Sequence, residues 1–349
     1  MDKEPQPINY MRKKRWIAEY MKTEKKKCLT FFFFFFLVLA NSGSFLQGKT
    51  SSLGKIITVD DEPGDGDYTS IKEAVNHASP GDIIEVYSGT YNEQLINMTT
   101  EGVTLRGISH ELGNGTDNGM PFINGGGLFV IISVFATNVT ITGFHMENQG
   151  ETATGIIDVL KSAFGCTLSN NILNYSTMSC ILCEASNCSI LNNSISHSTI
   201  RQGILIYKPS SQTIISGNRI TNCERGIDLW TSGGNHRVER NQISNCREYG
   251  LNIIGSEDNT IIQNSFEDNP LGLYIDSSSG NRIEKNNFLN NTRDAFFVFG
   301  LEIPRHNTWR QNYWGQPRLL PYAIRGNVLY FLPWVQFDWR PALKPYDIL

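Results

Sequence analysis

Two sets of residues recur at intervals of 22 to 24 and carry the groups most able to do chemistry. One runs Leu182, Leu205, Asp228, Asn252, Tyr274, Phe297; the other runs Glu184, Tyr207, Trp230, Ile254, Asp276, Phe299. Aromatic rings beside carboxylates and amides suit sugars, because ring faces stack on apolar C–H surfaces while polar groups orient the hydroxyls. Two readings fit these aromatics: a polysaccharide-binding groove, or rings covered by loops at the edge of the fold. Catalysis asks for more. Glycoside hydrolysis needs two positioned carboxylates, whereas Asp228 and Asp276 fall in different columns two repeats apart, with no third acid beside them. Lyase or C5-epimerase chemistry needs a base and a cation to neutralise a uronate. Arg225, Arg247 and Arg293, expected at the preceding turns, with Tyr207 or Tyr274, could supply them.

The elements that must hold these residues are short strands. Gly203, Gly226, Gly250 and Gly272 recur at intervals of 23, 24 and 22, and each opens an alternating segment such as Gly226-Ile-Asp-Leu229. A second column, Asn171, Asn193, Asn218, Asn241, Asn264, Asn286 and Asn312, is spaced by 22, 25, 23, 23, 22 and 26. A period in this range marks a repeat architecture, and alternation with period 2 marks strands with one buried face. A propeller blade would need about forty residues. One coil of a right-handed parallel β-helix fits instead, with coils stacked about 4.8 Å apart. Ile204, Ile227, Leu251 and Leu273 are expected to form one inward stack, and Ile206, Leu229, Ile253 and Ile275 the next. The Asn column is placed at a bend, where Asn tolerates the left-handed conformation and its amides can bond coil to coil. The glycines mark corners where a Cβ would clash.

The chain divides accordingly. Residues 1–47 read as a secretory leader: Lys22, Lys25, Lys26 and Lys27, then a 13-residue apolar run, Cys28 to Ala40, holding Phe31 to Phe36, then Asn41-Ser-Gly-Ser44. That run is short for a membrane span, and Met21 would begin a leader of ordinary proportions. The second reading is an uncleaved N-terminal anchor, which is also the one route to a membrane. Residues 48–81 are a linker and N-terminal cap with a helix over 68–78, in which Thr69 or Ser70 caps, Glu73 completes a capping box, and Ile71, Ala74, Val75 and Ala78 form the apolar stripe. Residues 82–312 are the coils. Residues 313–349, rich in Pro and aromatics such as Trp334 and Trp339, are a C-terminal lid. The chain is therefore expected to be secreted or held at the cell surface or envelope. A formal net charge of −4 gives no electrostatic reason to expect nucleic acid.

Seven cysteines are present, Cys28 in the leader. Cys166 and Cys188, 22 apart, and Cys223 and Cys246, 23 apart, each occupy one column in adjacent coils. That spacing allows two disulfides or a ladder of small buried thiols. Cys180-x-x-Cys183 has no second Cys or His pair at metal spacing. The acidic turn Asp60-Asp-Glu-Pro-Gly-Asp-Gly-Asp67 has Asp oxygens at alternate positions, as calcium would require. It lacks the twelve-residue loop pattern and its terminal bidentate Glu, so it is read as a solvated turn, and no cofactor is expected.

Three segments resemble a known family: Gly66-Asp-Tyr-Thr-Ser-Ile-Lys-Glu-Ala-Val75 with Pro80-Gly-Asp82 and Gly89-Thr-Tyr-Asn-Glu93; the Asn/Gly coils; and Asn312-Tyr-Trp-Gly315 with Pro333-Trp-Val-Gln-Phe-Asp-Trp339. Together they are similar to NosD-type right-handed β-helix proteins, common on archaeal and bacterial surfaces and related to pectate-lyase-like folds. The resemblance covers nearly all of the chain beyond the leader and implies an all-β single-stranded right-handed parallel β-helix. The clustered Asp of pectate lyases and the paired-Asp motifs of polygalacturonases have no counterpart here. The NosD resemblance also implies copper supply to a periplasmic reductase. Copper wants clustered His, Met or Cys, and the six His are scattered, with His145-Met146 the one adjacent pair. The copper role is not carried over. The expected function is a scaffold that binds a surface glycan through Tyr207, Asp228, Trp230, Asn252, Tyr274, Asp276 and Phe297. The alternatives are a lyase, epimerase or hydrolase, with Asp228, Asp276 and Arg225 as catalytic candidates, or a purely structural envelope protein.

Overall fold

Three parallel sheets form the walls of a right-handed-type solenoid of about eleven turns, seen in a computed structural model that describes residues 54–150, 155–300 and 306–348. The leader lies outside the described residues. Sheet 1 has eleven strands, from Ile56–Val59 to Thr308–Arg310; sheet 2 has ten, from Thr90–Tyr91 to Tyr313–Trp314. Sheet 3 also has eleven, beginning at Ile96–Met98. Each coil visits the sheets in that order, as in Thr167–Ser169, Ile172–Ser176 and Ser179–Cys183. Every described strand pair is parallel except the last, where Tyr322–Val328 and Leu332–Asp338 form an antiparallel hairpin at the end of sheet 3. Among the described residues, no helix is long and apolar enough to cross a membrane.

The expected inward stacks are present. Ile204, Ile227, Leu251 and Leu273 pair in register, as do Ile206, Leu229, Ile253 and Ile275, and all are fully buried. Each such side chain contributes about 1.5–3 kcal/mol of burial. A Cβ on Gly226 would come 2.4 Å from both Gly250 O and Ile243 Cγ2, so the column glycines do stand at a corner too tight for a side chain. In sheet 2 the stack turns aromatic near its end. Phe266, Phe288 and Trp314, then Tyr322 of sheet 3, pile ring on ring at 5.1, 4.5 and 4.1 Å.

The Asn column is a continuous buried ladder between sheets 1 and 2. Each Asn Nδ2 donates to the Oδ1 of the next, from Asn171–Asn193 at 3.1 Å to Asn286–Asn312 at 3.0 Å. The left-handed residue is not the ladder Asn but the one before it: Asn170, Asn192, Arg240, Gln263, Lys285 and Gln311 have φ between 52° and 56°. The ladder residue is needed for its amide, which satisfies the buried backbone of neighbouring coils; the strained position before it takes several residue types. Two further corner ladders run through His236, Asn259, Asn281 and Asn307, and through Cys246, Asn269 and Asn291.

Helix α1 spans Ile71–His77, shorter than expected at its start. Ser70 Oγ accepts from Glu73 N at 3.2 Å, while Glu93 takes the N–H groups of Ile71 and Lys72 at 2.8 Å each. Ser70 thus makes its half of the capping box, and the long-range Glu93 takes two further N–H groups of the first turn. The six described cysteines are all buried and free. Cys166 and Cys188 share a corner column, where the neighbouring Cys188 thiol and then burial push the Cys166 thiol well above its usual range.

Candidate functional site

The sites for chemistry lie on the outer face of sheet 3. Its strands begin one residue earlier than the column glycines imply: Gln202–Tyr207, Arg225–Trp230, Tyr249–Ile254 and Leu271–Asp276. Gln202, Arg225, Tyr249, Leu271 and Arg293 therefore pair in register as a third outward column. Arg225 and Arg293 belong to these strands, not to the preceding turns; Arg247 alone of the three lies outside them, exposed beside Glu224. The signal for the missed Gln202 and Tyr249 was present: each directly precedes a column glycine, and the bend there turns that residue outward.

Around Asp228 the three columns meet. Asp228 is wholly buried, though its column faces outward, because neighbouring polar side chains close over it. Ser179 Oγ donates to Gln202 Oε1 at 3.1 Å, and Gln202 Nε2 donates to Asp228 Oδ2 at 2.6 Å. Asn252 Nδ2 donates to Asp228 Oδ1. Arg225 stands 3.4 Å from Asp228 and donates through Nε to Glu248 at 2.6 Å. Burial raises the Asp228 pKa above the ordinary carboxylate value, against the pull of Arg225 and the two amides. The groove reading expected Asp228 and Asn252 to touch a ligand; both are enclosed.

The aromatics flank this cluster. Tyr249 and Tyr274 stack at 5.2 Å, and Tyr274 and Phe296 at 6.2 Å. Arg225 lies over Tyr249 at 5.7 Å and Arg293 over Phe296 at 4.7 Å. One coil earlier, Tyr207 and Trp230 pair edge to face at 6.1 Å, with Lys208 over Tyr207. All these rings are half-buried. Tyr274 Oη donates to Asp276 Oδ2 at 3.5 Å, and Ser277 Oγ to Asp276 Oδ1 at 3.0 Å. Burial, then the Asp276 charge, hold the Tyr274 phenol well above its usual pKa.

Phe297 is not on this face. It pairs with Ile275 in the inward column and is fully buried; Phe296 pairs with Tyr274 and takes the outward place. The last repeat has no column glycine to set the register, and the interval from Tyr274 is 22 residues, not 23. Phe299 is likewise buried, and Val298 stands opposite Asp276. Asp228 and Asp276 stay apart, one in the Gln202 cluster and the other against Tyr274.

Residues 116–328 match the family described as periplasmic copper-binding protein (NosD), more than half of the chain. The chain belongs to the NosD family. No curated protein matches it. Among solved structures, it is similar to a GH136 lacto-N-biosidase from Eubacterium ramulus, with a TM-score of 0.56 at 14% identity over 74% of this chain and 60% of that one. A PL6 alginate lyase in complex with a trisaccharide gives 0.52 at 16% identity over 76% of this chain and 61% of that one. A second alginate lyase gives 0.51 at 15% identity over 79% and 62%. These likenesses are of fold, and the chain spans about three-fifths of the length of those proteins.

Copper would need soft or borderline donors together. Among the described residues, the groups of three or more close His, Cys, Asp or Glu donors are all carboxylates: Asp60, Glu62 and Glu111, and Asp61, Glu62 and Asp117. His145 bonds Glu147 and Asn174, and Met146 beside it is fully buried. His236 Nδ1 accepts from Thr213 N within a corner ladder. The two carboxylate groups are hard-donor sets that do not suit copper.

Proposed function

We propose that this NosD-family protein is an extracytoplasmic glycan-binding scaffold, with sheet 3 as its binding face. The family's periplasmic description supports the location. The observation that carries the reading is the row of half-buried rings Tyr207, Trp230, Tyr249, Tyr274 and Phe296, set coil by coil and braced by Arg225 and Arg293. Coils repeat about 4.8 Å apart, close to the rise of one sugar unit, so a chain lying along the axis meets successive rings. Exposed Arg293, over Phe296, offers the face a cation for sugars carrying carboxylates. The fold likeness to a lacto-N-biosidase and to alginate lyases agrees with a carbohydrate partner.

The face is better built for holding than for cutting. Asp228 has no exposed oxygen, and Asp276 is nearly buried and sits two coils away. The test is a screen of the purified protein on neutral and uronate-containing glycans, each ligand then being incubated and checked for cleavage or unsaturated ends. Binding that is lost in Trp230→Ala and Tyr274→Ala, without product, supports the scaffold. Product formation replaces it with the enzyme reading, and binding undiminished in both variants removes sheet 3 as the site.

A further inference from the structure

The acidic turn after the first strand is solvated at Pro63, Gly64, Asp65 and Asp67 but not at its start. Asp60 is wholly buried, enclosed by the first coil and by a loop whose Glu111 lies 51 residues away in sequence. Three carboxylates here share a pattern. Asp60 Oδ1 accepts from Glu62 N at 3.1 Å, Asp61 Oδ2 from Thr90 N at 3.0 Å, and Glu111 Oε2 from Asp117 N at 3.0 Å. In each, one oxygen is fixed by a backbone N–H, while Asp60 Oδ2, Asp61 Oδ1 and Glu111 Oε1 are buried without a hydrogen-bond donor, as is Glu62 Oε2. None of the ion pairs between described residues includes any of the four, or Asp117.

An unpaired buried carboxylate oxygen is costly. Four of them converging without Lys or Arg need a positive charge that the protein does not itself provide. A proton shared between Asp60 and Glu62 would satisfy one contact and leave the others. The spacing points to a cation. Ligand oxygens of Asp60, Glu62 and Glu111 all lie within 4.8 Å of one another, and so do those of Asp61, Glu62 and Asp117. Two oxygens bound to one calcium at about 2.4 Å can be at most about 4.8 Å apart. Glu62 belongs to both groups and joins them.

We propose that Asp60, Glu62 and Glu111 form a calcium site, with Asp61 and Asp117 beside it adding negative charge, that ties the Asp60–Asp67 turn to the Glu111–Asp117 loop. All-oxygen, carboxylate-rich ligation from two loops suits a large, hard cation with variable coordination. Magnesium, which demands near-ideal octahedral geometry and keeps its waters, fits it less well. The cation would fix the first coils at the open end of the solenoid, where strand edges need covering.

The test is a calorimetric titration of the chelator-stripped protein with calcium chloride, repeated with magnesium chloride. We expect saturable binding of one calcium per chain, with magnesium about tenfold weaker or worse. Asp60→Asn should lower calcium affinity about tenfold or more. Because Asp60 is buried, the exposed Asp117→Asn serves as a second variant: its melting temperature in chelator should match the parent, and its calcium affinity should fall several-fold. Absence of saturable calcium binding by the parent overturns the site, as does undiminished affinity in both variants.

Discussion

The two ends of the solenoid solve the same problem in different ways. Near the C-terminal end, Asp338 is wholly buried and receives five N–H groups: Gln311 N, Asn312 N, Asn312 Nδ2, Trp314 Nε1 and Arg340 N, at 2.8 to 3.2 Å. It stands where the next Asn of the long ladder would stand, and its second oxygen accepts the last free amide. Near the N-terminal end, Asp60 is equally buried and receives one N–H. Between them, Asp228 is held by two amides and a guanidinium. A buried carboxylate is tolerated where the chain brings donors to it. Where the chain brings more carboxylates instead, the missing partner has to come from solution.

This contrast can be broken most severely at Asp338. Asp338→Ala removes the acceptor of five donors, three of them in buried bonds, and with charge-assisted bonds at about 1.5–3 kcal/mol each, partly regained by water, the loss should be about 4 kcal/mol in denaturant unfolding. A result under about 1 kcal/mol would mean that the ladder does not need its terminal acceptor.

His236 tests the same idea with a group that titrates. It occupies an Asn position in a corner ladder, and its Nε2 is buried without a partner. Burial lowers its pKa from 6.5 to about 4. The unfolded chain therefore binds the proton more readily, so stability is constant above about pH 6.5 and declines as pH falls towards 4, by roughly 3 kcal/mol at most. His236→Asn, which the neighbouring Asn259 and Asn281 show to suit the column, should remove that component of the pH slope. An unchanged slope would place the acid sensitivity elsewhere.

Arg225→Ala removes the cation beside Asp228 and should cost about 2–3 kcal/mol, because the carboxylate stays buried. Asp228→Asn combined with Arg225→Ala should recover part of that loss. A smaller effect is expected at the outer rings. Trp230→Ala should weaken glycan binding about tenfold, or about 1.4 kcal/mol, with little change in melting temperature.

The inward face was legible because strand alternation is local and every slip would expose a whole stack, so Ile204, Ile227, Leu251 and Leu273 could be aligned by eye. The glycine corner and the Asn ladder were legible for the same reason, since each recurs once per coil. What failed were features fixed by few or distant residues. Phe297 was misassigned because the last repeat has Asp294 where the others have glycine. Tyr249 and Gln202 were missed because the outward turn before each glycine depends on the corner's geometry. Glu111 and Asp60 meet only after the coils have closed, and no spacing along the chain announces them. Asp228 was recognised as chemically notable, but its enclosure by Gln202, Arg225 and Asn252 depends on three neighbouring coils at once.

The most direct test of the contrast between the ends is the melting temperature of the parent, Asp338→Asn and Asp60→Asn, each in millimolar calcium and in chelator. Calcium should raise the melting temperature of the parent and of Asp338→Asn by a similar amount, and leave Asp60→Asn nearly unmoved, because among the described residues the buried carboxylate oxygens without a donor are those of the N-terminal cluster. An equal calcium shift in Asp60→Asn, or no shift in the parent, would contradict it.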